Sequence, residues 1–264
     1  MRFFSIIFIS PVLSFIINPF INKPYNILNA KIKGDFEYLY YPKNDNQHLY
    51  KSKLEDDSTN LVVGVGPAGT GKSLFPCQEA VRQLKNKNKK KIVITRPVKS
   101  VDEELGYLPG GLNDKMDPWI RPLIEIFSEY YPISTVQAMI NDRRIEVVPL
   151  AFMRGRTFKN TFIIADEMQN ATPEQIFMLL TRLGKESKMC LTGDVHQCDI
   201  EDDGLKRLIQ NLHKYYVTDK KGNLTNDGIQ LVEFKKSDIM RHKFVSKIID
   251  IYDNQNDNKS SVGQ

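Results

Sequence analysis

Gly66-Pro67-Ala68-Gly69-Thr70-Gly71-Lys72-Ser73 fits the pattern G-x-x-x-x-G-K-[ST]. Glycines let the main chain curl so that successive N–H groups turn inward toward phosphate oxygens. A helix after such a loop adds its partially positive N-terminus. Lys72 can reach β- and γ-phosphates. Ser73 can offer a hydroxyl oxygen to Mg²⁺, which takes near-octahedral oxygen ligands. The octet is the candidate cradle for the phosphates of a nucleotide.

A second set of groups follows about 95 residues downstream. Phe162-Ile163-Ile164-Ala165 is apolar and ends in Asp166-Glu167. An acid at the carboxyl end of a buried strand lies where open α/β sheets bind ligands. Asp166 is placed to hold the hydration shell of Mg²⁺. Glu167 is placed to orient or polarise an attacking water, because phosphoryl transfer depends on positioning and electrostatics. A third strand end, Leu191-Thr192-Gly193-Asp194-Val195-His196-Gln197, resembles the G-D-x-x-Q element of helicase-like NTPases. Asp194 and Gln197 are the candidates for sensing a γ-phosphate there. Arg241 is a candidate for stabilising charge on the transferring phosphoryl group. Arg182 and the basic loop Met153-Arg154-Gly155-Arg156-Thr157 are further candidates, for a neighbouring subunit or a nucleic-acid phosphate.

These groups need a scaffold that brings several strand ends together. Short apolar runs at Leu61–Val65, Lys91–Ile94, Arg144–Val148, Thr161–Ala165, Lys188–Leu191 and Ile229–Phe234 read as strands. Helical stretches are expected within 42–60, after the glycine loop to about Leu84, and at Pro173–Leu183 and Gly204–His213. Alternation of buried strands and helices implies an α/β fold, with a parallel sheet covered on both faces. Pro76 would remove a helical hydrogen bond unless it falls in the first turn. The stretch 96–143, rich in Pro and Gly, reads as a long insert, with Tyr107 and Trp119 as packing or base-stacking rings.

Composition narrows the classes. The 264 residues carry 37 Lys and Arg against 32 Asp and Glu, a net charge of +5. That balance permits a nucleic-acid partner without demanding one. Three cysteines without CxxC spacing and four scattered histidines argue against a disulfide scaffold and a structural zinc site. Cys77 and Cys190 read as small core residues. The lysine run 85–91 reads as a solvated connection. Residues 1–30 form a hydrophobic leader, a candidate targeting segment; its apolar run, Phe3 to Ile17, is too short for a stable membrane span. Residues 253–264 read as a disordered tail.

Taken together, the motifs resemble the PhoH-like family of P-loop ATPases. The resemblance rests on GPAGTGKS (66–73), ITRPV (94–98), LGYLPGGLNDKMDPWIRPL (105–123), IEVVPLAFMRGRTF (145–158), ADEMQNATPEQIFMLLTRLGKESKMCLTGD (165–194) and SDIMRHKFV (237–245). It implies a RecA-like P-loop NTPase core over 31–252, related to superfamily 1 helicases. It further implies ATP and Mg²⁺ as ligands, ATP hydrolysis, and single-stranded RNA or another nucleic acid as partner. Gln47 matches the family's adenine-reading glutamine. Met168 departs from the usual DEAQN, and Pro76 is a second departure; neither removes a catalytic group. In this class another strand separates the cradle strand from the acidic strand, and the one ending in Thr192-Gly193-Asp194 is expected to fill that place. A single core closes only half of a helicase cleft, so a homo-oligomer, a ring for instance, is expected to bring Arg241 or Arg182 across an interface. An ATPase requires ATP, which places the chain in the cytoplasm or an ATP-containing organelle. A nucleotide-dependent switch with little turnover and a small-molecule kinase are the alternative readings.

Overall fold

The computed structural model describes residues 36–97, 112–215, 227–240 and 247, and all of them belong to one unit, Phe36–Gln264. The leader, Tyr107, Arg241, the tail and the side chain of Trp119 lie outside the described residues. Helix α1 (Asp45–Glu55) precedes β1 (Leu61–Val65), and α2 (Leu74–Lys85) leads to β2 (Lys91–Thr95). Two helices follow, α3 (Leu112–Tyr130) and α4 (Ile133–Asn141), and then β3 (Ile145–Val147). The chain continues through β4 (Thr161–Ala165), α5 (Pro173–Leu180), β5 (Lys188–Gly193), α6 (Gly204–Tyr215) and β6 (Ile229–Glu233).

The six strands form one sheet in the order β3-β2-β4-β5-β1-β6, with every pairing parallel. β5 lies between the glycine-loop strand β1 and the acidic strand β4, as expected. The register sets Val65 beside Gly193 and Ala165 beside Leu191, so the loops after β1, β4 and β5 leave the same end of the sheet. With helices on both faces, this is the RecA-like α/β arrangement.

Two cores explain why nearly every strand residue is apolar. Phe162, Ile164, Ile92, Ile94 and Cys190 pack on one face with Phe127, Phe75 and Tyr50. Ile163, Ala165, Val63, Met189 and Leu191 pack on the other with Ile176, Leu179 and Leu205. Each fully buried large side chain contributes roughly 1.5–3 kcal/mol relative to exposure. Buried on both faces, the strands lose the alternation of a half-exposed sheet. Among the described residues no helix is long and apolar enough to cross a membrane.

Several expectations need correction. Residues 112–141, read from the sequence only as part of a long insert, hold two helices. Pro118 and Pro122 would ordinarily break a helix. Pro122 instead faces solvent, while Leu123 and Phe127, four residues apart, are buried in the core beside α2. That burial outweighs the lost backbone bonds. The helix expected over Pro173–Leu183 ends at Leu180, and β3 is shorter than its apolar run. Pro76 is the third residue of α2, where its missing N–H costs nothing.

Candidate nucleotide site

The glycine loop folds as its composition requires. Gly66, Gly69 and Gly71 have φ of 143°, 87° and 90°. A Cβ on Gly66 would stand 2.6 Å from the carbonyl oxygen of Phe234, and one on Gly71 would stand 2.7 Å from the Phe75 ring. Side chains are therefore excluded by backbone conformation and by space. Thr70 Oγ1 donates to Pro67 O at 3.0 Å and closes the curl. Lys72 is 8% exposed, and its Nζ donates to Pro67 O at 3.3 Å, so the ammonium lies over the loop.

The acidic strand end meets this loop. Ser73 Oγ donates to Asp166 Oδ1 at 2.8 Å, although 93 residues separate the two. Thr192 Oγ1, from β5, donates to the same carboxylate oxygen. Asp166 is buried, and its N–H donates to Thr95 O at 3.0 Å, which fixes the start of the turn. One carboxylate and two hydroxyls suit a hard cation that keeps water and substrate phosphate as its remaining ligands. Among the described residues no group of three or more His, Cys, Asp or Glu could hold a metal ion. The oxygen donors that are present, the Asp166 carboxylate and the Ser73 and Thr192 hydroxyls, are of the type Mg²⁺ takes.

Glu167 adopts a left-handed backbone with φ of 55°, unusual for a residue other than glycine. Its carboxylate is held from two sides. Gln169 Nε2 donates to Oε2 at 2.6 Å, and the Arg96 guanidinium lies 3.3 Å from Oε1. Gln169 is buried, and its Oε1 accepts from the Asp194 N–H at 3.1 Å. One amide side chain thus ties the acidic turn to the turn after β5. In that turn Asp194 Oδ1 accepts from His196 N at 3.0 Å, and Gln197 N donates to Asp194 O at 2.9 Å. Asp194 and Gln197 line a cavity of about 720 Å³ with Gly66, Pro67 and Ala68, so both candidates do sit beside the loop.

α1 supports the site from below. The Tyr50 hydroxyl donates to Lys72 O at 3.0 Å and lies 3.0 Å from Cys190 Sγ. Burial raises the Tyr50 phenol and the Cys77 thiol well above their ordinary values and pushes Cys190 up to about 12. The floor is therefore neutral. Lys188 is buried beneath α1, and its Nζ donates to the carbonyls of Lys53, Leu54 and Asp56. An ammonium at a helix C-terminus satisfies carbonyls that have no partner in the helix. Burial lowers the Lys188 pKa.

Two candidates are engaged in local contacts. Gln47 is buried, with Nε2 donating to Thr70 O at 3.0 Å and Oε1 accepting from Lys43 N at 2.8 Å. Its amide braces the glycine loop. Arg182 donates to Met178 O, Arg156 O and Thr181 Oγ1, so its guanidinium closes the end of α5. Arg96, Gln169, Thr192 and Tyr50 are the residues around the site that motif reading missed.

A model of the PhoH-like protein family matches residues 40–253. A PhoH-like protein of Bacillus subtilis is 43% identical over 203 residues, covering 75% of this chain and 59% of that protein. A PhoH-like protein of Mycobacterium bovis is 38% identical over 232 residues, covering 87% of this chain and 62% of its own. Protein PhoH of Escherichia coli is 32% identical over 212 residues, covering 80% and 57%. This chain thus matches only about three fifths of the length of these relatives. Among solved structures, the Pif1 helicase from Candida albicans is similar at 16% identity and a TM-score of 0.37, covering 82% of this chain and 44% of that one.

Proposed function

The chain belongs to the PhoH-like family, and from that premise we propose that it binds ATP with Mg²⁺ and hydrolyses it, coupled to a single-stranded nucleic acid, RNA foremost. The observation that carries this reading is the 2.8 Å contact of Ser73 with Asp166, made across the sheet beside a loop that only glycines could form. The main-chain N–H groups of 66–73 hold phosphate oxygens, and Lys72 adds charge at the β- and γ-phosphates. Ser73 and Asp166 hold the Mg²⁺, directly or through water. When bound, Mg²⁺ neutralises charge on the phosphate oxygens. Glu167 orients the attacking water, with its carboxylate aimed by Gln169. Asp194 and Gln197 report the state of the γ-phosphate to the cavity wall. Nucleic-acid coupling is supported by the exposed Phe152 and Arg154 after β3.

A switch with little turnover would need no aimed acid beside its cradle, and Glu167 held by two side chains favours hydrolysis. The test is steady-state phosphate release with and without single-stranded RNA. Lys72→Ala is expected to lower kcat/KM for ATP at least about a hundredfold, as loss of a charged group at transferring phosphate does. Glu167→Gln is expected to bind ATP normally and to lose turnover. Normal hydrolysis by Glu167→Gln would remove the assigned role.

A further inference from the structure

The glycine loop is held from outside at two successive carbonyls. Gly69 O accepts from Met240 N at 2.9 Å, and Thr70 O accepts from Gln47 Nε2 at 3.0 Å. In a trans peptide the carbonyl and the N–H that follows it point opposite ways. Fixing these two carbonyls therefore fixes the direction of the Thr70 and Gly71 N–H groups. The two holders lie far apart in the sequence. Gln47 is the third residue of α1, and Met240 follows the turn Lys236–Asp238 after β6. Asp238 joins them. It is 5% exposed, and its Oδ2 accepts from Asn46 Nδ2 at 2.7 Å and from Lys235 N at 2.7 Å. Its main-chain O accepts from Asn44 Nδ2 at 3.4 Å, and Asn44 Oδ1 accepts from Gln47 N at 2.9 Å. A buried carboxylate is costly unless hydrogen-bonded, and these bonds all serve the junction between α1 and the turn.

We propose that Asp238 is a positioning residue for triphosphate binding. By clasping the turn after β6 to the start of α1, it keeps Met240 and Gln47 on the two loop carbonyls, so that the Thr70 and Gly71 N–H groups face the phosphates. This rests on the ATPase reading above. The glycines set the curl, and the clasp sets which way two of its peptide planes are turned. Gly69 and Gly71 flank Thr70, and glycine offers little steric resistance to a change of peptide orientation, so these planes need an outside hold. The partners of Asp238 are Asn44, Asn46 and Lys235, not the groups assigned to metal and water. The clasp therefore acts on affinity for phosphate rather than on turnover.

The experiment titrates the full chain with a fluorescent ATP analogue and Mg²⁺, competes it with unlabelled ATP and with inorganic tripolyphosphate, and measures kcat at saturating ATP. It compares the unaltered protein with Asp238→Ala, Asp238→Asn, Asn46→Ala and the double alanine variant. Asp238→Ala is expected to weaken ATP and tripolyphosphate alike, about tenfold, with kcat changed by less than about threefold. Asp238→Asn keeps an acceptor oxygen and is expected to lose only about threefold in affinity. Asn46 is partly exposed, so Asn46→Ala breaks the same clasp with little risk to folding. Residues of one clasp are coupled, so the losses in the double variant do not add. Unchanged affinity in Asn46→Ala, additive losses, or a loss for ATP without one for tripolyphosphate overturns the proposal. A fall in kcat with affinity intact also overturns it and gives the role to Arg241, next in the chain after Met240. If the unaltered protein binds no nucleotide, the ATPase reading fails as well; normal ATP binding by both the unaltered protein and Asn46→Ala sinks the clasp alone.

Discussion

The glycine loop after β1 and the acidic turn after β4 make the same site by opposite means. The loop is shaped by main chain: three positive φ values and a hydroxyl-to-carbonyl closure lie within eight consecutive residues. The acidic turn is shaped by side chains from elsewhere. Thr192 and Ser73 hold Asp166, and Gln169 and Arg96 hold Glu167. A backbone device fails as a whole when one position is filled. A side-chain device loses function in steps, one contact at a time.

The strongest way to break that contrast is Gly66→Ala. Its Cβ would meet the Phe234 carbonyl at 2.6 Å in a backbone conformation that alanine avoids. We expect a loss of roughly 2–5 kcal/mol, read as a lower Tm, together with loss of ATP binding in a fluorescent-nucleotide titration. Tight binding by a folded Gly66→Ala protein would show that the curl is not set by glycine. A middle effect is expected from Gln169→Met, which keeps volume and removes both hydrogen bonds. Its kcat should fall about ten- to a hundredfold while KM for ATP changes little, the signature of lost positioning. A KM that rises as far as kcat falls would make Gln169 a binding group instead. Thr192→Val should act least. Removing one hydroxyl from the Asp166 carboxylate is expected to raise the Mg²⁺ concentration for half-maximal activity roughly three- to tenfold. A Mg²⁺ titration unchanged by Thr192→Val would leave that contact without a role in metal holding.

The same contrast explains what could be read from the sequence. The loop is local, so eight residues identify it before any fold is known. The strands are equally legible, because Leu61–Val65 and Thr161–Ala165 are continuous apolar runs bounded by polar residues. β5 was placeable between them only through the family resemblance of Thr192-Gly193-Asp194. Helix α3 was hidden by Pro118 and Pro122, whose local effect a core contact at Leu123 and Phe127 overrides. Arg96 and Thr192 were not legible as site residues, because their partners Glu167 and Asp166 follow another strand far along the sequence; Gln169 lies two residues from Glu167, but its tie to Asp194, 25 residues on, appears only in the fold. A hydroxyl at the buried end of β5 was the one available signal for Thr192. Tyr50 acts through the backbone of the loop, and no motif marks it.

The late position of β5 in the chain has a consequence for how the protein comes into being. A ribosome that has released residues up to 187 has already synthesised both the glycine loop and the two acids. The strand that separates and aligns their parent strands in the finished sheet is still missing. Nascent chains gain structure from the N-terminus onward, yet this pocket stays unassembled until the wedge strand emerges and slides between its elders. Assembly of the candidate site therefore waits on residues 188–193, although every side chain proposed to bind phosphate or metal has by then been made.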